Sequence, residues 1–309
     1  MKRKKDSRLQ LKQQKWLLLM LLPGLAAIIL FSYLPLSGWY LAFSEYRLGG
    51  SIWGGEWVGV KYFEKILTES SDLLYLLRNT LVMNGVSLVL NITVALFFAI
   101  ILKEFFWKFG AKAVQTVSFF PYFVSWVIAY SIVSSLLSVN SGAINQVLVK
   151  LGWIKKGFNI IIIGDPKYSW GLIILINLWK TCGYNTIIFL SSIAGIPTEL
   201  YEASALDGAG RLQQIRYVTL PSLLPTASVL LIMNAGWILN SNLEQFFVFQ
   251  NATNWTRMEV LDMYIYKFGL KMLDFPYATA MSIVKTLVSI LMLLAVNALT
   301  KKLNKVSVI

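Results

Sequence analysis

The sequence predicts an all-α, polytopic membrane protein with six transmembrane helices. Of its 309 residues, 57% are hydrophobic and 14% are charged, whereas soluble domains are about 45–50% apolar and about 25% charged. Charged residues divide the chain into six long apolar stretches, and about 20 apolar residues suffice to cross a bilayer. The chain contains no His, which is the commonest general base and zinc ligand. We therefore expect a single membrane domain over 1–309 rather than a soluble enzyme.

The apolar stretches place the helices. After trimming of their polar ends, the spans are predicted near 16–43, 79–102, 114–138, 169–195, 222–241 and 276–299. The first is too long for the apolar region of a signal peptide, so we expect a retained anchor behind a basic arm, 1–15. The outer 244–275 segment repeats apolar residues at helical spacing, which predicts a further helix, as a structural brace or a functional element. The repeated residues are Leu261, Ile265, Phe268 and Met272.

The distribution of Lys and Arg predicts that both termini are cytoplasmic. The first segment, MKRKKDSRLQLKQQK, is strongly basic, and it outweighs four lysines in the outer 139–168 loop, Lys150, Lys155, Lys156 and Lys167. In so apolar a chain, the net charge of +13 indicates cytoplasmic loops beside anionic lipid rather than nucleic acid. Cys182 is the single cysteine, so an intramolecular disulfide is impossible and the redox compartment stays open.

Polar residues inside the predicted spans recur at helical spacing and mark one face of each helix. These faces comprise Thr80, Asn84, Ser87 and Asn91 in the second span; Tyr122, Ser125, Trp126 and Ala129 in the third; Asn177, Lys180 or Thr181, Tyr184 and Asn185 in the fourth; and Asn234, Trp237, Asn240 and Ser241 in the fifth. Such faces either hydrogen-bond to neighbouring helices or surround a cavity. Aromatic rings beside amides suit a sugar site, because rings pack on sugar C–H faces while amides pair with hydroxyls.

The loop between the fourth and fifth spans has its own pattern, PTELYEASALDGAGRLQQIRYVTLPSLLP, over 197–225. Pro197 and Thr198 predict the start of a short helix, and Asp207-Gly208 predicts its end. A second short helix should then lead to the next span. Small residues at 203–205 leave space for another protein to approach closely.

These residues resemble the EAA loop of permease subunits in bacterial ATP-binding-cassette (ABC) importers: Glu-Ala-Ala, three free positions, Gly, nine free positions, then Ile, one free position, Leu and Pro. The matching residues are Glu202, Ala203, Gly208, Leu220 and Pro221, while Ser204 replaces the second Ala and Val218 the Ile. Other segments look like carbohydrate-importer permeases, most closely the branch for oligosaccharides from complex polysaccharides, and more distantly the maltose type. They are LLPGLAAIILFSYLPLSGWYLAFSEYRL, LRNTLVMN, FFPYFVSWVIAYSIVSSLL, NSNLEQFFVF and LDMYIYKFGL.

The resemblance implies a permease of the bacterial cytoplasmic membrane that moves oligosaccharides, driven by ATP hydrolysis in partner subunits, without cofactor, metal or catalytic site of its own. The implied partners are a second homologous permease, two copies of a cytoplasmic ABC ATPase, an extracellular solute-binding protein, the oligosaccharide and membrane lipid. The loop between the fourth and fifth spans would be the cytoplasmic coupling helix, and the residues implied in ATPase coupling are Glu202, Ala203, Ser204, Asp207 and Gly208.

Distance from this loop also implies which residues contact sugar: Lys180, Tyr184, Asn234, Trp237 and Asn240. An ammonium in mid-helix needs water, a carboxylate or an anionic ligand. For Lys180 two roles stay open, namely binding the carboxylate of an acidic sugar or pairing with a carboxylate of the partner permease.

The alternative function is secondary, ion-coupled transport. Such transporters typically carry intramembrane carboxylates and inverted repeats, whereas no Asp or Glu lies within any predicted span. A channel is less favoured, because no filter sequence is present. The sequence has no Gly-Lys dipeptide and hence no phosphate-binding G-x-x-x-x-G-K-[ST] loop, so it cannot be the ATPase.

Overall fold

A computed structural model describes residues 15–68, 72–139, 142–153 and 161–304. Most of the basic arm, together with Lys155 and Lys156 of the 139–168 loop, lies outside these residues. The described residues form two compact units, one within 1–70 and 265–284 and the other within 71–264 and 285–309. The expectation of a single membrane domain over 1–309, like the orientation of the termini, stays a prediction.

The first unit begins with a long apolar helical segment. Its elements are α1 (Lys15–Ile28), a π-helical turn (Ile29–Tyr33), a 3-10 helix (Leu34–Phe43), strands β1 (Ser44–Glu45) and β2 (Glu56–Trp57), and α2 (Lys61–Thr68). The strands are antiparallel, with Ser44 opposite Trp57, and the Phe43 ring stacks on Trp57 at 5.4 Å between centroids. None of the residues of α1 is buried, so this apolar surface must be covered by lipid or another protein.

The second unit contains the long helices that position the site. Its elements are α3 (Asp72–Glu104), α4 (Lys108–Phe119) with a 3-10 turn (Phe120–Phe123), α5 (Trp126–Leu137), α6 (Ala143–Lys150), α7 (Pro166–Ala194), α8 (Thr198–Leu206), α9 (Arg211–Gln214), a π-helical turn (Ile215–Thr219), α10 (Leu220–Ala235), α11 (Leu243–Phe249) and α12 (Trp255–Met258). Two of the remaining elements include residues of both units, α13 (Leu261–Tyr266) and α14 (Phe275–Asn304), and the π-helical turn between them (Lys267–Lys271) belongs to the first unit.

Two apolar clusters of described residues pack the helices of the second unit against one another. One joins α3 to α7 and α10, with Ala95, Phe189 and Leu223 fully buried. Alanine on α3 lets the larger ring on α7 pack close to the helix axis. The other cluster joins α3, α5 and α7 to the outer helices and includes Trp126 and Phe246.

The described residues include five or six candidate membrane spans. Five helical segments are long and apolar enough to cross a bilayer: Lys15–Phe43, Asp72–Glu104, Pro166–Ala194, Arg211–Ala235 and Phe275–Lys302. A sixth span exists only if the bent pair Lys108–Phe123 and Trp126–Leu137 counts as one. The apolar, charge-free stretches therefore predicted the membrane class and approximate limits of these segments.

The prediction of one continuous helix over 114–138 was wrong. The two halves meet at 107°, because Val124 and Ser125 have extended backbone dihedrals and Ser125 caps α5 by accepting a hydrogen bond from Ile128 N at 3.3 Å. Pro121, which lacks an N–H, stands in the turn before the break. Hydropathy did not reveal the break, since no charged residue lies between Lys112 and Lys150.

The fifth span also differs from its predicted limits of 222–241. It is continuous from Arg211, so the short second helix of the loop is the start of the span. A π-helical turn over Ile215–Thr219 widens the backbone just before Pro221, which cannot donate a main-chain hydrogen bond. The helix ends at Ala235. The prediction that residues 236 to 241 are helical was therefore wrong.

The outer segment is more structured than its sequence pattern indicated. A helix is present at Leu261–Tyr266 and extends into a π-helical turn, which confirms the prediction from helical spacing. The short helices Leu243–Phe249 and Trp255–Met258 were not predicted, since each is too short to show a period.

Candidate functional site

A cavity of about 350 Å³ lies within the second unit. Its walls come from α3, the turn after α4, α7, α10 and the turn after α10. The lining residues are Asn84, Ser87, Leu88, Asn91, Ile92, Tyr122, Asn177, Thr181, Tyr184, Asn185, Asn234, Trp237, Ile238 and Asn240. None of these described residues carries a charge, and amide side chains predominate among the polar ones. The cavity can therefore offer neutral hydrogen-bonding groups and aromatic faces.

Part of the predicted polar stripe is engaged in helix pairing. Asn91 Nδ2 donates to Asn177 Oδ1 at 2.9 Å, and Thr181 Oγ1 donates to Asn91 Oδ1 at 2.5 Å. Thr80 is buried and accepts a hydrogen bond from Leu261 N at 3.0 Å. These side chains therefore hydrogen-bond to neighbouring helices, which is one of the two roles expected for the polar faces. Asn91, Asn177 and Thr181 also border the cavity.

Four of the five residues predicted to contact sugar border the cavity: Tyr184, Asn234, Trp237 and Asn240. The Tyr184 side chain is 41% exposed and that of Trp237 is 70% exposed, so both rings have accessible surface. Asn234 Nδ2 donates to Leu230 O of its own helix at 2.7 Å.

The aromatic wall of the cavity is formed by stacked rings. Tyr184 on α7 stacks on Tyr122 with 4.6 Å between ring centroids and 11° between planes. Tyr122 in turn stacks on Phe119, at 5.9 Å and 8°. Of the face predicted for the third span, only Tyr122 reaches the cavity, because the break turns Trp126 and Ala129 into the apolar core.

Lys180 is the fifth predicted residue, and it does not line the cavity. Its side chain is buried, and Nζ donates to the backbone carbonyls of Pro121 at 3.3 Å, Tyr122 at 2.9 Å and Val124. An ammonium has three N–H donors, so these three carbonyls account for all of them. The last carbonyls of a helix have no partner within it and attract a cation. Lys180 therefore caps the helical segment before the break. Neither expected role, binding a sugar carboxylate or pairing with a carboxylate of the partner permease, included these backbone partners.

Gly183 brings α7 against the backbone of the same bent segment. A Cβ atom at this position would lie 2.1 Å from Ser118 O and 2.8 Å from Phe119 N. Only glycine permits this approach, since the obstacle is backbone rather than a flexible side chain. Lys180, Gly183 and Tyr184 lie within little more than one helical turn, so one face of α7 holds the bend and its aromatic wall.

The turn after α10 is held by polar contacts. Asn84 Nδ2 donates to Ile238 O at 2.8 Å and to Ser241 Oγ at 3.0 Å. Ser241 N donates to Asp262 Oδ2 at 2.6 Å, and the other oxygen of Asp262 pairs with the Lys285 ammonium. These contacts fix the non-helical segment that presents Trp237 and Asn240.

The loop with the predicted ATPase contacts contains a helix at the predicted place. Helix α8 runs over Thr198–Leu206, Asp207 caps its end, and Gly208 has φ +81°. Left-handed backbone of this kind favours glycine. The Glu202 and Ala203 side chains are exposed, and Ser204 is half-buried, with Oγ donating to Tyr201 O at 2.8 Å. The helix thus presents the acidic and smallest side chains to solvent.

Sequence patterns missed several residues that shape this site. Gly183 had a signal, since a glycine within an apolar span often marks close helix packing. Asp262 and Lys285 are opposite charges far apart in sequence, and only the fold brings them together. The capping role of Lys180 had no sequence signal, because its partners are backbone atoms.

The fold and the cavity define a class: a polytopic helical membrane protein with an uncharged, amide-lined and aromatic-lined cavity among its spans. Residues 74–305 match the family of binding-protein-dependent transport system inner membrane components. The chain belongs to this family. It is a multi-pass inner membrane protein, the permease subunit of an ABC importer and not itself an enzyme, which sets aside the alternative of ion-coupled secondary transport.

Two permease proteins and one solved structure are similar to most of the chain. The chain is 38% identical over 306 residues to the polygalacturonan/rhamnogalacturonan transport system permease protein YteP of Bacillus subtilis, covering 98% of this chain and 94% of that protein. It is 28% identical over 227 residues to the trehalose/maltose transport system permease protein MalF of Thermococcus litoralis, covering 74% of each. Among solved structures, a bacterial alginate ABC transporter in complex with an alginate pentasaccharide-bound periplasmic protein matches with TM-score 0.86 and 30% identity, covering 97% of this chain and 98% of that one.

Proposed function

We propose that this permease moves oligosaccharides released from complex polysaccharides, and that its cavity is half of the translocation path. The observation that carries the proposal is the juxtaposition of two accessible aromatic rings, Tyr184 and Trp237, with the amides of Asn185, Asn234 and Asn240. Ring faces suit the C–H faces of pyranoses and amides suit sugar hydroxyls. Similarity to the polygalacturonan/rhamnogalacturonan permease and to the alginate transporter supports this substrate class.

The uncharged lining bears on how an acidic sugar would be recognised. Lys180 is the nearest candidate for a substrate carboxylate, but its donors are used by three backbone carbonyls. We therefore assign sugar contact to Tyr184, Asn234, Trp237 and Asn240, and a positioning role to Lys180. Recognition by this half of the path then depends on ring faces and hydroxyls rather than on substrate charge.

The remaining assembly is proposed from the family. A second homologous permease would supply the other half of the path, two copies of a cytoplasmic ABC ATPase would power it, and an extracellular solute-binding protein would deliver the sugar. Helix α8 would be the cytoplasmic coupling helix, with Glu202, Ala203, Ser204, Asp207 and Gly208 at the ATPase contact and both chain termini on the same side. ATP-driven closure of the ATPase would then switch the cavity between its two exposures.

The test is uptake by the complete complex in proteoliposomes, with alginate-derived and pectin-derived oligosaccharides as probes. The double variant Tyr184→Ala, Trp237→Ala should lower uptake at least about fivefold while complex yield stays at the wild-type level, because stacking of each ring is worth about 0.5–1.5 kcal/mol. Trp179→Ala is the matched control, since Trp179 is an exposed aromatic residue on α7 outside the cavity.

Two results would contradict the proposal. Wild-type uptake of every oligosaccharide by the double variant would remove the cavity from the sugar path. A loss of complex yield that matches the loss of uptake would show that the rings only stabilise the fold.

A further inference from the structure

Helix α8 has one side chain that reaches back to the membrane helices. Tyr201 is half-buried, whereas its neighbours Glu202 and Ala203 are exposed. The tyrosine therefore lies on a different side of α8 from Glu202 and Ala203, which are part of the proposed ATPase contact. Its contacts decide how α8 is attached to the rest of the second unit.

The Tyr201 hydroxyl joins three helical elements. Lys103 Nζ, in the last turn of α3, donates to Tyr201 Oη at 2.5 Å and lies 3.8 Å from the ring centroid. On its other side Tyr201 Oη is 3.0 Å from Thr219 Oγ1. Thr219 is 1% exposed and ends the π-helical turn that continues into α10. One phenol thus contacts the end of α3 and the base of α10.

The main chain of Tyr201 is held as well. Its carbonyl accepts a hydrogen bond from Ser204 Oγ at 2.8 Å and from Gln214 Nε2 at 3.3 Å. Gln214 belongs to α9, which runs directly into the fifth span. The residue is therefore restrained at both its backbone and its hydroxyl.

The attached helices are the ones that form the cavity. Helix α3 contributes Asn84 and Asn91 to the lining, and α10 contributes Asn234. A displacement of α8 that preserves the contacts of Tyr201 must move the ends of both helices. If those contacts are absent, movement of α8 reaches the cavity walls only through the chain that joins it to α7 and α10 and through the bond from Gln214.

We infer that Tyr201 is the positioning residue through which movement of the ATPase reaches the cavity, by way of its hydroxyl contacts with Lys103 and Thr219. The inference rests on the proposed function, in which α8 carries the ATPase contact. In this inference Glu202 acts in docking of the ATPase on α8. Tyr201, on a different face of the same helix, acts in transmission of the movement to the cavity.

The experiment uses the full complex in proteoliposomes and measures bound ATPase, sugar-stimulated ATP hydrolysis and sugar taken up per ATP hydrolysed. Tyr201→Phe removes only the hydroxyl and should leave ATPase binding at the wild-type level while lowering uptake per ATP about tenfold, which corresponds to losing one charge-assisted contact. Lys103→Met removes the same contact from the α3 side and should also lower uptake per ATP about tenfold.

Tyr217→Phe is the matched control. It makes the same chemical change in the same loop, on a tyrosine that is 68% exposed, and should leave all three quantities unchanged. Glu202→Ala should instead lose bound ATPase, which separates docking from transmission.

The outcomes distinguish this inference from the proposed function. Wild-type uptake per ATP in both Tyr201→Phe and Lys103→Met, or loss of bound ATPase in Tyr201→Phe, would overturn the transmission role alone. Absence of sugar-stimulated hydrolysis in the wild-type complex would instead overturn the proposed function.

Discussion

Replacement of Lys180 by methionine tests whether the bend of the third span depends on this ammonium. Methionine keeps most of the length of the side chain and removes its three donors. The carbonyls of Tyr122 and Val124 then lose their hydrogen-bond partner, whereas Pro121 O keeps the bond from Val124 N at 3.2 Å. No neighbouring N–H can replace it at once, because the segment after Phe123 is extended rather than helical.

The magnitude follows from two opposing contributions. Each buried carbonyl left without a partner costs about 1–3 kcal/mol, so the two carbonyls of Tyr122 and Val124 cost about 2–6 kcal/mol. The variant also avoids burying an ammonium, which costs several kcal/mol in the native protein. We expect a net loss of about 2 kcal/mol in the free energy of unfolding, which corresponds to an apparent Tm about 4–8 °C lower.

The assay is thermal unfolding of the purified complex, followed by uptake of a neutral and an acidic oligosaccharide. Because the bend positions Tyr122 in the aromatic wall, uptake of both sugars should fall by the same factor. Lys167→Met is the control, since Lys167 is an exposed lysine in the first turn of the same helix; it should leave both Tm and uptake unchanged.

One result would refute this reasoning. If Lys180→Met kept the wild-type Tm and lost uptake of the acidic sugar alone, the role of the ammonium would be to bind the carboxylate of the sugar. Its contacts with the backbone would then be incidental to the architecture of the bend.

Two further substitutions test backbone geometry. Gly183→Ala should lower complex yield and should lower Tm by several degrees, because its Cβ would lie 2.1 Å from a backbone oxygen. Gly171→Ala on the same helix meets nothing within 4 Å and should be neutral. Equal Tm values for the two variants would contradict the close approach at Gly183. Gly208→Val should lower sugar-stimulated ATP hydrolysis more than Gly208→Asn, because φ +81° costs a β-branched residue about 1–2 kcal/mol and asparagine less. Equal hydrolysis by the two Gly208 variants would show that its backbone conformation is irrelevant to coupling.

Several features of this protein follow from local composition and needed no fold to be predicted. Long apolar stretches bounded by charges indicate membrane helices, since crossing a bilayer depends on length and hydrophobicity alone. The helix at Thr198–Leu206 and the turn at Gly208 were also predictable, because start and stop signals act within a few residues. The polar periodicity identified residues of α3 and α7 that share one cavity, such as Asn84 and Tyr184, since helical period fixes which side chains share a face.

Other features were decided by residues that meet only in the folded chain. The break after Phe123 interrupts a stretch without charged residues, and its carbonyls find a partner in Lys180, on a different helix. The same fold places Trp237 in a turn rather than on a helix, held by Asn84 from α3. A buried polar group must find a hydrogen-bond partner wherever the fold supplies one. Sequence periodicity therefore determined which residues are polar within the membrane, and the tertiary structure decided which of them face the cavity and which hold its walls.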